Sequence, residues 1–177
     1  TTTVEHPAVT KTIRDLKRQG WKVDYISAIG GRLDLDQMEK SINKQTVLVS
    51  IMLVNNETGS IFPVEKIKEI IKRKGSPALL HCDAVQAYGK IPFTAESIGA
   101  DLISISAHKI HGPKGTGVLY VRKGTKMFSL NHGGLQERGL RSGTECMPLI
   151  PAFGEAARIT FQNFEQKTAH LKEVRDY

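Results

Sequence analysis

Cysteine is scarce in this sequence: Cys82 and Cys146 are the only two among 177 residues. Their spacing indicates neither a disulfide framework nor a zinc site. Adding His81, His108 and His111 as candidate ligands gives no common zinc pattern either, so we predict no metal site. Reduced thiols are the expected state, which favours the cytoplasm, with an organelle matrix as the alternative.

Long apolar runs are also absent. No segment approaches the roughly 20 apolar residues that cross a bilayer, and the first residues lack the pattern of a secretory signal peptide. The sequence contains no internal repeat and no low-complexity linker. We therefore expect no membrane association and one globular domain, in which the 40% hydrophobic residues build a single core.

Positive charge is in excess but is not concentrated. The net charge is +7, yet lysine and arginine are distributed over several predicted helix faces and are not interleaved with aromatic residues. Lys66, Lys68 and Lys72, for example, surround the apolar positions of one predicted helix. Direct nucleic-acid binding is therefore not expected, while some of these charges could face an anionic cofactor or an acidic partner.

Nucleotide-binding motifs are missing too. The segment Gly112-Pro113-Lys114-Gly115-Thr116-Gly117 is too short for a Walker loop and lacks its Gly-Lys-Ser/Thr ending. No Gly-x-Gly-x-x-Gly follows a predicted strand as in a dinucleotide-binding fold. We expect this glycine-rich loop to bring the backbone close to a ligand pocket of another kind.

Apolar periodicity predicts alternating helices and strands in the first half of the chain. Gly20 ends the first helix, and Asp34 is expected to cap the second, with Gln37 completing a capping box. Helices are predicted at 7–19 and 35–42, and strands at 21–26 and 46–53. The last of these is a continuous β-branched and aliphatic run, which is typical of a strand buried on both faces.

The second half continues the alternation. Expected elements are a helix at 64–74 closed by Gly75, a strand at 78–82, a helical turn at 95–98, strands at 101–106 and 118–121, and one long helix from Pro148 onward. This order predicts an α/β fold with a largely parallel sheet. The chain starts at Thr1, and its last helix has no stop signal before Tyr177. We therefore expect 1–177 to be a fragment.

Polar residues follow three of the predicted strands, where ligands gather in open α/β sheets. Asn55 and Asn56 follow one strand, Asp83 follows the next, and Ser106 to Lys109 follow the third. Taken singly, these residues could form a turn, cap a segment or lie in solvent. Taken together, Lys109 and Asp83 suggest a pyridoxal phosphate site, which needs an amine for the cofactor's aldehyde and an anion for its ring nitrogen.

Five ordered motifs make a family resemblance specific. They are Val54-Asn55-Asn56-Glu57-Thr58-Gly59, His81-Cys82-Asp83-Ala84-Val85-Gln86, Ser106-Ala107-His108-Lys109-Ile110, Gly112-Pro113-Lys114-Gly115, and the segment Gln-Glu-Arg-Gly-Leu-Arg-Ser-Gly-Thr at 136–144. Together they are very similar to the motifs of NifS/IscS-type cysteine desulfurases of the class-V aminotransferase family. The last motif resembles the NifS/IscS branch more than the SufS branch.

The resemblance implies a fold and a reaction. The fold is the aminotransferase-like fold type I of pyridoxal phosphate enzymes, and 1–177 is expected to be the central part of its large domain, without the small domain. The reaction removes sulfur from L-cysteine to give L-alanine and an enzyme persulfide for iron–sulfur cluster assembly or thiolation. A sulfur-acceptor or scaffold protein is the expected partner.

The same resemblance implies roles for the cofactor-binding residues. Lys109 would hold the aldehyde of pyridoxal phosphate, and Asp83 would pair with its ring nitrogen. Gln86 and Asn56 would lie near the phenolic oxygen and the ring. Two further residues, Ser106 and His108, would bind the phosphate.

Two other residues gain roles by resemblance only. His6 matches the histidine that stacks on the cofactor ring and assists proton transfer, whereas alone it reads as an ordinary residue at a helix start. Thr144 matches a residue that one subunit contributes to the phosphate site of its partner, so a homodimer is expected. Without the resemblance, Thr144 reads as a turn residue.

The sequence also departs from the family pattern. Ala107 replaces a usual glycine, His111 a usual tyrosine, and Leu135 interrupts a glycine run, changes expected to affect packing more than chemistry. The residues matching the family's nucleophilic cysteine, substrate-binding arginine and phosphate loop are expected outside 1–177. Two alternatives stay open: another enzyme of the same fold, such as a selenocysteine lyase or an aminotransferase, and a non-catalytic interaction module.

Overall fold

The computed structural model describes all residues from Thr1 to Tyr177. Its centre is a four-stranded sheet of the strands β3 (Leu48–Met52), β4 (Leu79–Asp83), β5 (Leu102–Ser106) and β6 (Gly117–Val121), in that spatial order. The first three strands are parallel and β6 is antiparallel to β5. The expected α/β fold with a mostly parallel sheet is confirmed.

Helices and short elements surround this sheet. The helices are α1 (Pro7–Arg18), α2 (Leu35–Ser41), α3 (Val64–Arg73), α4 (Leu149–Phe161) and α5 (Phe164–Asp176), and the short strands β1 (Ala28–Ile29) and β2 (Arg32–Leu33) form a hairpin. Two 3₁₀ turns lie at Ala107–Ile110 and Gln136–Gly139. No helix combines the length and the apolar character that a bilayer span requires.

The core lies on one face of the sheet. Ile51, Leu80 and Ile103 point to this face, and they pack in one cluster with Ile67 and Ile71 of α3. Each large apolar side chain buried in this way contributes about 1.5–3 kcal/mol to folding. The opposite face carries the polar residues Ser50, His81 and Ser104 together with Met52 and Leu102.

The strand predicted at 21–26 is wrong. Only Ile26 makes a bridge, a parallel one with Thr2, and Trp21 is 53% exposed. The segment lies across a cavity of about 460 Å³ from the edge strand β3, and Trp21 and Leu48 both line that cavity. The segment alternates as a strand would, but the backbone of residues 1–3 pairs only with its last residues, so no ladder forms.

Two helix predictions need correction. The side chain of Asp34 accepts a hydrogen bond from the Gln37 N–H at 2.8 Å, as expected. However, Gln37 Oε1 accepts from the Ser27 N–H instead of completing the capping box. The single helix predicted from Pro148 onward is two helices, because Asn163 adopts the left-handed conformation with φ of 56° and separates α4 from α5.

Candidate active site

A cavity of about 620 Å³ lies between α1 and the polar face of the sheet. Seven of the residues selected from the sequence line it: His6, Asn56, Asp83, Gln86, Ser106, His108 and Lys109. They come from the start of α1, the loop after β3, the end of β4 and the end of β5. Parallel strands bring these ends together because their carboxyl ends share one edge of the sheet.

Asp83 is the last residue of β4, and it is buried. Its Oδ1 accepts a hydrogen bond from the Val85 N–H at 3.0 Å. No other hydrogen bond is made by the carboxylate, so Oδ2 is free to accept one from a ligand in the cavity. A carboxylate fixed on one oxygen and open on the other is suited to a cationic N–H donor.

Lys109 and His108 lie in the 3₁₀ turn that follows β5 directly. His108 Nδ1 lies 2.7 Å from Ser106 Oγ, so the two side chains form one polar pair at the mouth of the cavity. Ala107 is fully buried beside Ile110 and Phe153. That contact anchors the turn and leaves its polar residues toward the cavity.

Gln86 lies in the turn after β4, and its amide is oriented by a neighbour. Lys90 Nζ donates a hydrogen bond to Gln86 Oε1 at 2.6 Å. The amide nitrogen of Gln86 therefore remains available as a donor. Burial, followed by the charge of Lys109, lowers the pKa of Lys90.

The two adjacent asparagines have different roles. Asn55 is buried, and its Oδ1 accepts hydrogen bonds from the N–H groups of Glu57 and Thr58, while its Nδ2 donates to the Val4 carbonyl. Asn55 thus builds the loop. Asn56 lines the cavity instead. The sequence alone did not distinguish the turn-forming asparagine from the one at the site.

His6 precedes α1 and caps it. Its Nδ1 accepts a hydrogen bond from the Ala8 N–H at 3.2 Å, and Pro7 occupies the first helical position. Since Nδ1 is used by the cap, Nε2 is the ring nitrogen left for the cavity that His6 lines. His6 can therefore cap α1 and face the cavity at the same time.

Glu5, next to His6, was missed by the sequence reading. It is buried, and its Oε1 accepts hydrogen bonds from Thr2 Oγ1 at 2.6 Å and from the Met52 N–H at 3.0 Å. Burial, with a smaller contribution from the charge of the nearby Asp83, raises the pKa of Glu5 to about 7, although these hydrogen bonds act in the opposite direction. Glu5 ties the segment that carries His6 to β3.

His81 was also missed as a site residue, having been considered only as a metal ligand. It lies on the cavity face two residues before Asp83, and Ser50 and Ser104 of the neighbouring strands are its hydrogen-bonding partners. Polar residues inside otherwise apolar strands, two positions before Asp83 and Ser106, were the sequence signal. Cys82 points to the opposite face, where it is fully buried.

Thr144 lies outside this cavity, on an exposed segment. None of the residues within this cavity-lining set comes from 111–177. The site formed by this chain is thus built from its first two-thirds.

The donor set fits pyridoxal phosphate. The cavity offers an amine (Lys109), an open carboxylate oxygen (Asp83), an amide donor (Gln86) and a serine–histidine pair at its mouth (Ser106 and His108). These groups complement an aldehyde, a ring N–H, a phenolic oxygen and a phosphate, respectively.

Comparisons with known proteins agree with this geometry. The sequence profile of the family described as Aminotransferase class-V matches residues 1–177. A protein named cysteine desulfurase from Trichormus azollae is 49% identical over 176 residues, covering 99% of this chain and 43% of that protein. The chain thus spans less than half the length of this relative.

Solved structures give the same result. A NifS-like protein superposes with a TM-score of 0.94 at 45% identity, covering 99% of this chain and 48% of that one. A structure titled SspA in complex with cysteine superposes with a TM-score of 0.82 at 37% identity, covering 89% of this chain and 46% of that one. The expected aminotransferase-like fold is confirmed.

Proposed function

Because the chain belongs to the class-V aminotransferase family, we propose that its protein is a pyridoxal phosphate-dependent cysteine desulfurase. It would convert L-cysteine to L-alanine and pass the sulfur to an enzyme cysteine as a persulfide. The observation that supports this most is the convergence of His6, Asp83, Gln86, Ser106 and Lys109 on one cavity. The relatives named cysteine desulfurase support the choice of substrate.

Each residue would have a defined role toward the cofactor. Asp83 would accept a hydrogen bond from its ring nitrogen through Oδ2, since Oδ1 is occupied by the Val85 N–H. Gln86 would donate its amide N–H to the phenolic oxygen, and Asn56 would lie beside the ring. Ser106 and His108 would bind the phosphate.

When bound, pyridoxal phosphate supplies an electron sink that stabilises negative charge at the substrate Cα. Lys109 would hold the cofactor until the amine of L-cysteine takes the place of the lysine amine. The freed Lys109 Nζ would then accept the proton from the substrate Cα. His6 would move a proton through Nε2, because Nδ1 is committed to the Ala8 N–H. Neither role requires a large displacement, since both side chains already line the cavity.

The proposal extends to the surroundings of the site. Thr144 would reach the phosphate site of a second copy of the protein, which makes a homodimer the working form. A sulfur-acceptor or scaffold protein would receive the persulfide sulfur. The proposed compartment is a reducing one, the cytoplasm or an organelle matrix, in which the cysteines of the chain would stay reduced.

Substitution of Lys109 tests the proposed function. In the full-length protein, Lys109→Ala should abolish alanine formation from L-cysteine while the far-ultraviolet circular dichroism stays unchanged. Lys172→Ala is the matched control, because Lys172 is exposed on α5. Alanine formation by Lys109→Ala at more than a trace of the original rate would refute the role of Lys109. Equal turnover of other amino acids by the unmodified protein would favour an aminotransferase instead.

A further inference from the structure

Three strands place a row of polar side chains on the floor of the cavity. Ser50 of β3, His81 of β4 and Ser104 of β5 all lie on the polar face of the sheet. His81 Nδ1 lies 2.8 Å from Ser50 Oγ, and His81 Nε2 lies 2.8 Å from Ser104 Oγ. The imidazole therefore uses both nitrogens to join the two serines.

The row accepts only certain proton arrangements. Burial lowers the pKa of His81, with the charge of Asp83 acting in the opposite direction, so the ring is neutral at physiological pH. A neutral imidazole donates through one nitrogen and accepts through the other. Either Ser50 donates to Nδ1 and Nε2 donates to Ser104, or both hydrogen bonds are reversed.

Asp83 breaks the symmetry between the two arrangements. In the parallel register Ser104 lies opposite Asp83, on the same face of the sheet, whereas Ser50 lies opposite His81. If Nε2 donates to Ser104 Oγ, the Ser104 hydroxyl proton is free to point toward the carboxylate. If the bonds are reversed, that proton is taken by the ring and a lone pair faces Asp83. A negative carboxylate favours the first arrangement.

We infer that His81 is a positioning residue in its Nε2–H form, in which Ser50 donates to Nδ1 and Nε2 donates to Ser104, so that the Ser104 hydroxyl dipole is directed toward the negative charge of Asp83. This arrangement would stabilise the charge of the carboxylate electrostatically, without occupying the oxygen left open for a ring nitrogen and without adding a positive charge that would compete with it. The inference rests on the proposed function, in which Asp83 pairs with the ring nitrogen of the cofactor. The arrangement of protons is independent of catalysis.

Other titratable groups at the cavity act on the row from different elements. His6 faces it from the start of α1, and His108 and Lys109 face it from the turn after β5. None of them is hydrogen-bonded to His81. Within the row, the ring nitrogens have serine partners only, so the influence of the other groups is electrostatic and Asp83 is the nearest charge on the same strand.

Nitrogen-15 NMR of the histidine-labelled 177-residue chain, without cofactor, tests the proton arrangement. We expect His81 to show the Nε2–H tautomer and to be neutral at pH 6.5, because burial lowers its pKa below the ordinary value. Asp83→Asn removes the charge that selects this tautomer, so the Nδ1–H form should become populated. Asp34→Asn, which keeps the cap of α2, should leave the signals unchanged. A protonated ring at pH 6.5, or a tautomer that ignores Asp83→Asn, would overturn the inference.

Binding of pyridoxal phosphate gives the second readout. Ser104→Ala removes only the Ser104 hydroxyl at the end of the row. We expect it to weaken pyridoxal phosphate binding about tenfold in the full-length protein, as measured by absorbance titration. His81→Leu should weaken binding at least as much, and the double variant should be no weaker than His81→Leu. His81→Gln, which restores a donor and an acceptor, should recover part of the loss.

The outcomes separate the two proposals. Unchanged cofactor affinity in Ser104→Ala would refute the positioning role, even if His81→Leu did not fold. Absence of cofactor binding or of desulfurase activity in the unmodified protein would refute the proposed function instead. In that case the NMR result would still decide whether Asp83 selects the Nε2–H form of His81.

Discussion

Asp83 and Val85 are joined by a hydrogen bond from the Val85 N–H to Asp83 Oδ1, 3.0 Å long. The bond closes the turn directly after β4 and fixes the carboxylate at the end of the strand. It involves one oxygen only, so the backbone of the turn and a ligand can use the same side chain at once. Structure and function can therefore be separated at this position by an isosteric substitution.

Asp83→Asn should preserve the fold and impair the reaction. The asparagine Oδ1 can still accept the Val85 N–H, but its amide would point a donor at the site of the ring nitrogen. In the full-length protein we expect the rate of alanine formation to fall about 100-fold, with some cofactor retained. The control is Asp34→Asn, which lies at the cap of α2 and should have no effect. A near-normal rate in Asp83→Asn would contradict the pairing.

The sequence predicted the sheet well because its central strands are unusually distinct. The apolar run at 46–53 and the residues before Asp83 and Ser106 form the parallel strands β3, β4 and β5. Parallel strands of this kind are buried, so their hydrophobicity is continuous and easily recognised. The segment 21–26 has equally good alternation, but pairing depends on a neighbouring backbone, which a local pattern does not contain.

The sequence predicted those residues of the candidate site that directly follow a strand. Lys109, Asp83 and Gln86 follow strands and line the cavity as expected. Glu5 and His81 were not found, because their roles depend on partners distant in sequence: Met52 for Glu5, and the two serines of neighbouring strands for His81. Such partners become apparent only once the register of the sheet is known.

Glu5 should make stability depend on pH. Its pKa is about 7 in the folded chain, compared with 4.5 as the ordinary value. A carboxyl whose pKa is raised by folding binds its proton more tightly in the folded state. Its contribution is therefore fully present below pH 4.5 and is lost as the pH rises through about 7, by up to about 3 kcal/mol.

Urea unfolding of the 177-residue chain and of Glu5→Gln, compared across this range, measures the effect of Glu5. The difference in unfolding free energy between the two chains isolates Glu5. The buried Thr1 amino group and His81 have lowered pKa values, so they make stability rise with pH, opposite to Glu5. Relative to Glu5→Gln, the original chain should lose stability between pH 4.5 and pH 7 and then reach a plateau. A difference that does not change with pH would mean that Glu5 is ionised throughout.

Asp101 should be a major determinant of stability away from the site. It is buried, and it accepts hydrogen bonds from Lys68 Nζ at 2.7 Å and from the Leu80 N–H at 2.9 Å, with Arg122 also close. Burial raises the pKa of Asp101, but the hydrogen bonds and the two cations outweigh it and lower the pKa overall. The carboxylate thus connects α3 to the sheet.

Asp101→Ala should lower the free energy of unfolding by about 3 kcal/mol, because it leaves the Leu80 N–H and two cations without their partner. Since the folded pKa is depressed, the contribution of Asp101 in the original chain is present above pH 3.8 and is lost as the pH falls through its folded value. The control is Glu155→Ala, which breaks an exposed pair with Arg158 on α4 and should change stability negligibly. Equal stability changes in the two variants would contradict this account.

The 177-residue chain alone should not release alanine from L-cysteine, even when pyridoxal phosphate is added. A persulfide needs a thiolate that can reach the cavity. Cys82 is fully buried on the apolar face of the sheet, and burial raises the pKa of its thiol. Cys146 is exposed but is not among the residues that line the cavity. With no nucleophile at the site, correct placement of Lys109 and Asp83 should give no partial activity, since catalytic groups act as a unit.

The assay is alanine formation by the purified chain with L-cysteine and a reductant, compared with its Lys109→Ala variant. A rate that depends on Lys109 and disappears in Cys146→Ser would identify Cys146 as the nucleophile and overturn this prediction.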